Sequence, residues 1–106
     1  MNKKWRRFEV LIPRQFNDGT AVPQELIGEA AFEIAIHFGA SSFEKQIIEG
    51  HWHHGESMYR DKLARIFVDV PDTAKNRQWM RQFKARWKAR LKQVELWMVS
   101  YRIEIE

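Results

Sequence analysis

Residues 50–71 read GHWHHGESMYRDKLARIFVDVP, and the fold turns on how this stretch divides. Its second half alternates: Ala64, Ile66, Val68 and Val70 share one face of an extended chain, while Leu63, Arg65, Phe67 and Asp69 share the other. Its first half sets two glycines around GHWHHGES, where a hairpin turns. The segment from Ser42 to about His54 carries β-branched and aromatic residues at intervals and serves as the incoming arm. The stretch therefore predicts a hairpin joining a second strand to a third.

Working outward, WRRFEVLIP at residues 5–13 alternates as a first strand, with Phe8, Val10 and Ile12 on one side and Pro13 closing it. Asp18-Gly19 marks a tight turn. Pro23 then suits the start of a helix in which Leu26, Ile27, Ala30, Ala31, Ile34 and Phe38 recur at helical spacing, with Gly39 as its stop. The polar stripe Glu25, Glu29, Glu33 and His37 is expected to point away from the core. Asp72 or Thr73 can cap a second helix, whose Trp79, Phe83, Trp87 and Leu91 step by four. VELWMVSYRIEIE ends the chain as a strand, with Trp97, Val99, Tyr101, Ile103 and Ile105 alternating to one side.

Strand, helix, strand, strand, helix, strand is the ferredoxin-like β-α-β-β-α-β pattern. The expectation is one α+β domain over residues 1–106, a four-stranded antiparallel sheet with two helices on one face. The helix side is assigned Ile66, Val68, Val70, Val99 and Ile103. The open face is assigned Leu11, Leu63, Arg65, Phe67, Leu96, Met98, Ser100 and Arg102. That face is too apolar to stay in water, so a homodimer joined through its sheets is expected.

Composition narrows the function classes. The 106 residues contain no cysteine, which excludes disulfides, thiolate catalysis and cysteine-based zinc sites. No apolar run reaches the length of a membrane span, and the basic start leads directly into a strand pattern, so a cytoplasmic protein with no membrane partner is expected. The net charge of +4 favours anionic partners. Arg81, Lys84 and Lys88 on the second helix are the candidate anion-binding residues, giving nucleic-acid binding by charge as one alternative. An RNA-recognition platform is not supported, because the third strand offers only Phe67 and the first only Leu11. No glycine-rich phosphate loop and no GxSxG elbow occurs.

The three histidines of GHWHH suggest a metal, but alternation sends His51 and His53 to one face and His54 with Trp52 to the other. No HExxH spacing accompanies them, and neither a metal nor a cofactor is expected. Acid–base chemistry is the better alternative. A histidine titrates near neutrality, Asp61 or Glu56 could orient it across the hairpin, and Tyr59 could donate to a developing anion.

VLIPRQFNDGTAVP, a helix ending FGA, EGHWHHGESMYRDKLARIFVDVPD and FKARWKARLKQVELWMVSYRIEI together resemble a group of small, stand-alone, uncharacterised prokaryotic proteins. In these the hairpin reads approximately Gly-x-Trp, a short turn, then Tyr-x-Asp, which corresponds here to Gly50, Trp52, Tyr59 and Asp61. The resemblance implies a ferredoxin-like α+β domain. The resulting expectation is a small binding or regulatory module, with a small enzyme as the alternative. Trp52 would form the apolar wall of its ligand site, His54, Tyr59 and Asp61 the polar groups, and Arg14 would be available for an anion.

Overall fold

The computed structural model describes residues 3–39, 42–44, 50–54, 57–61 and 63–106, with only the backbone considered for 42–44, 50–54 and 57–61. Among the described residues the elements follow in the order β1 (Trp5–Pro13), α1 (Gln24–Phe38), β2 (Ser42–Glu44), β3 (Gly50–His54), β4 (Ser57–Asp61), β5 (Leu63–Pro71), α2 (Ala74–Arg90) and β6 (Trp97–Ile103). The α+β class stands, but the expected six-element ferredoxin-like layout does not. The long strands β5, β1 and β6 form the antiparallel body of the sheet, and β2 is a three-residue segment on the edge of β5. Among the described residues β3 and β4 pair with each other, in a separate two-stranded ribbon.

The correction falls within the stretch that decides the fold. GHWHHGESMYRD was expected to supply the end of one strand and a turn; instead its two halves pair in register, Trp52 opposite Tyr59 and Gly50 opposite Asp61. The physical reason is that a ribbon needs only backbone pairing. Its sequence need not show the apolar alternation by which a core-facing strand is recognised.

Phe8, Val10 and Ile12 of β1 and Ala64, Ile66, Val68 and Val70 of β5 are buried. They face Ile27, Ala30 and Ile34 of α1 and Met80, Phe83 and Trp87 of α2, which closes one core on one side of the sheet. α1 stops where Gly39 takes φ 87°, a left-handed conformation that costs glycine little. Thr73, not Asp72, caps α2: its hydroxyl accepts from the Asn76 backbone N–H at 3.1 Å.

On β6 the two faces are the reverse of those expected. Pairing sets Met98 beside Val10 and Ser100 beside Phe8 on the helix side. Trp97, Val99, Tyr101 and Ile103 therefore lie on the open face, beside Leu11, Glu9, Arg7 and Trp5. Leu96, also assigned to the open face, is buried in the core. The more apolar set of β6 residues thus lies on the side without helices.

Candidate functional site

The ribbon carries four of the five expected ligand-binding residues. Trp52 and Tyr59 are directly paired, and His54 and Asp61 stand two residues from them along β3 and β4, so the pleat puts all four at positions of one ribbon face. Their side chains lie outside the described residues. Arg14, the fifth, follows β1; its carbonyl accepts from the Val22 N–H at 2.8 Å, and its half-buried guanidinium has no acidic partner among the described residues.

The open face of the sheet is organised by charge and aromatic contact. Arg7 is held in a two-point contact by Asp69, directly opposite on β5, with Nε–Oδ1 at 2.7 Å and Nη2–Oδ2 at 2.9 Å. Asp69 raises the Arg7 pKa above its ordinary value. Glu9 accepts from Arg65 Nη2 at 2.5 Å and from the Tyr101 hydroxyl at 2.6 Å. These two donors, Arg65 first, hold the Glu9 carboxyl below the usual range. Both guanidiniums also lie over the Phe67 ring, at 4.9 Å for Arg7 and 4.4 Å for Arg65. Around this network Trp97 is 62% exposed and Tyr101 43%.

Most of the basic residues on α2 have acidic partners. Arg90 donates to both oxygens of Glu29, at 2.9 and 3.1 Å, and lowers its pKa. Arg86 pairs with Glu33, so the acidic stripe of α1 faces α2, where it had been expected to face solvent. Of the expected anion-binding residues, Lys84 bonds Glu95 at 3.0 Å, while Arg81 is exposed and Lys88 half-buried.

One further cluster went unread. Asp72, with a side chain 2% exposed, accepts from Arg6 Nε at 2.9 Å, Arg77 Nη1 at 2.5 Å and Arg102 Nε at 3.0 Å. Hydrogen bonding to Arg6 above all, then to Arg77 and Arg102, holds its carboxyl well below the usual carboxylate range. Arg102 also lines an open cleft of about 970 Å³ with Lys3, Lys4, Trp5 and Glu104.

Comparison with protein-family models and with curated proteins finds no match. Among solved structures the chain is similar to a phage SAM lyase in complex with S-methyl-5'-thioadenosine, with a TM-score of 0.68 and 10% identity. The match covers 100% of this chain and 94% of that one. At this identity the likeness is one of fold. No helix among the described residues is long and apolar enough to cross a membrane.

Proposed function

We propose that this chain is a small binding or regulatory module that assembles with copies of itself through the open face of its sheet and takes a small ligand on its β3–β4 ribbon. The open face carries the reading. Trp97, Val99, Tyr101 and Ile103 line up beside Leu11 and Trp5 on the side that no helix among the described residues covers. Covering them removes apolar surface from water. The charges among them are already paired with one another, so a second copy can bury the face without stranding an ion. Sedimentation equilibrium of the parent should give a multiple of the chain mass, and Trp97→Glu should give the single-chain mass. A single-chain mass for the parent at all concentrations would refute the assembly.

A second reading, that the module is a small enzyme, is favoured by the whole-chain likeness to a SAM lyase solved with a nucleoside thioether. Trp52 offers a flat apolar surface suited to a purine, Asp61 a carboxylate suited to a cationic or hydroxylated group, and His54 and Tyr59 groups able to move a proton. The test is calorimetric titration with S-methyl-5'-thioadenosine and with SAM, followed by chromatography of the SAM mixture. Binding lost in Trp52→Ala and Asp61→Ala supports the ribbon as the seat. Turnover of SAM supports the enzyme. Parent-like binding in both folded variants removes the ribbon from the account.

A further inference from the structure

The cluster around Asp72 differs in stoichiometry from the ion pairs that join α1 to α2 and from the Arg7–Asp69 pair. Arg86 with Glu33, Arg90 with Glu29 and Arg7 with Asp69 are one cation to one anion. At Asp72 three guanidiniums, one each from β1, α2 and β6, share a single carboxylate, which leaves an excess of two positive charges. Glu104 and Glu106, the acidic neighbours in the adjoining cleft, are exposed and form no ion pair among the described residues.

The donors are also unevenly used. Arg6 is consumed: it spends Nε and Nη2 on Asp72 and gives Nη1 to the Ser100 hydroxyl at 3.0 Å. Arg102 uses only Nε, so both of its terminal nitrogens have no partner among the described residues, and its side chain is 62% exposed. Arg77 uses only Nη1 and is 35% exposed. Asp72 thus acts as a buried anchor that fixes two guanidinium forks by one edge and leaves other N–H groups facing water. A planar fork held in this way is matched to an oxyanion with several acceptor oxygens.

The surroundings extend the same sign of charge. Arg77, Arg81, Lys84 and Lys88 follow one another at spacings of four, three and four on one flank of α2. The Lys84–Glu95 bond places that flank toward the segment leading into β6, on the opposite side from the flank whose Arg86 and Arg90 meet α1. On the β6 side stand Ser100 and Arg102, both exposed.

We propose that Arg77 and Arg102, anchored on Asp72 beside Arg6, form a phosphate-binding site at the seam between α2 and β6. The ligand chemistry is a phosphate group, carried by a small phosphate ester or by a nucleic-acid backbone. Asp72 is a positioning residue and does not touch the ligand.

The test follows the arginine Nε–H signals of the parent protein during titration with inorganic phosphate, the ionic strength being held constant with chloride. Saturable shifts confined to Arg6, Arg77 and Arg102 are expected. Arg102→Gln and Arg77→Gln should each weaken the interaction roughly tenfold. Arg90→Gln removes the same charge from the flank of the same helix that meets α1 and should leave the affinity unchanged. Shifts that fail to saturate, or that chloride reproduces, overturn the site, as does parent-like affinity in Arg102→Gln. The parent titration decides the matter even if a variant does not fold. A single-stranded oligonucleotide added to the phosphate-bound protein then distinguishes the sources. Displacement of phosphate, with steep salt dependence, assigns the site to a backbone; retention of phosphate assigns it to a small ester.

Discussion

Asp72 shows how much one side chain can hold together. Its carboxylate ties β1, α2 and β6 through Arg6, Arg77 and Arg102, while its own N–H donates to the Lys4 carbonyl at 2.8 Å. Its partners lie 66, 5 and 30 positions away, and no linear motif links them. The sequence offered Asp72 as one of two helix caps, a local role that Thr73 fills. The arginines hold the folded-state pKa of Asp72 below its unfolded value. The stability this contributes is therefore fully present above the unfolded pKa of about 4, and is lost as pH falls through that value toward the folded one. Asp72→Asn should lower the urea midpoint at neutral pH and flatten the loss below pH of about 4. Part of the acid loss should persist, because Glu9, Glu29 and Glu95 are depressed in the same sense by Arg65, Arg90 and Lys84. Urea titrations across that range check it, and parallel curves for parent and variant would show that the cluster is not coupled to folding.

At the scale of elements, the helices were legible and the strands only half so. Pro23, Gly39 and Thr73 mark helix ends by local backbone chemistry, and the spacing of Phe83, Trp87 and Leu91 belongs to a buried stripe. On β6, however, both faces alternate, and the apolarity of Trp97, Val99, Tyr101 and Ile103 pointed to the core. Register reverses this, because Phe8 and Val10 take Ser100 and Met98 as their same-face neighbours. The ribbon was hidden for a related reason: with no apolar alternation, SMYRD offered no signal of a strand. Where the two helices meet, the Trp87 indole N–H, on a residue 1% exposed, donates to Glu33 at 2.9 Å. Glu33→Ala leaves that buried donor unsatisfied and should destabilise the protein by about 1–3 kcal/mol in chemical unfolding. Glu29→Ala removes only an exposed pair and should change little, so equal effects would contradict the assignment of the buried bond.

For the whole molecule, the distribution of apolar surface matters more than its amount. The core closes on one side of the sheet with Phe83, Trp87 and Ile66 enclosed by residues of the same chain. The other side carries Trp97 and Tyr101 in the open, around ion pairs that are already closed. Under the proposed assembly, folding and association are separable: one face stabilises the single chain, and the other would favour association. Because only the folded chain presents the second face, association stabilises the native state by mass action. A tenfold rise in protein concentration should add about 1.4 kcal/mol to the apparent stability per dissociable dimer, raising the melting temperature with concentration. Trp97→Glu should abolish that dependence. It should also leave the melting temperature of dilute protein nearly unchanged, because residue 97 lies outside the core and is largely exposed. Scans of both proteins over a hundredfold concentration range make the comparison. A melting temperature that does not move in the parent would refute a second copy of this chain as the occupant of the open face.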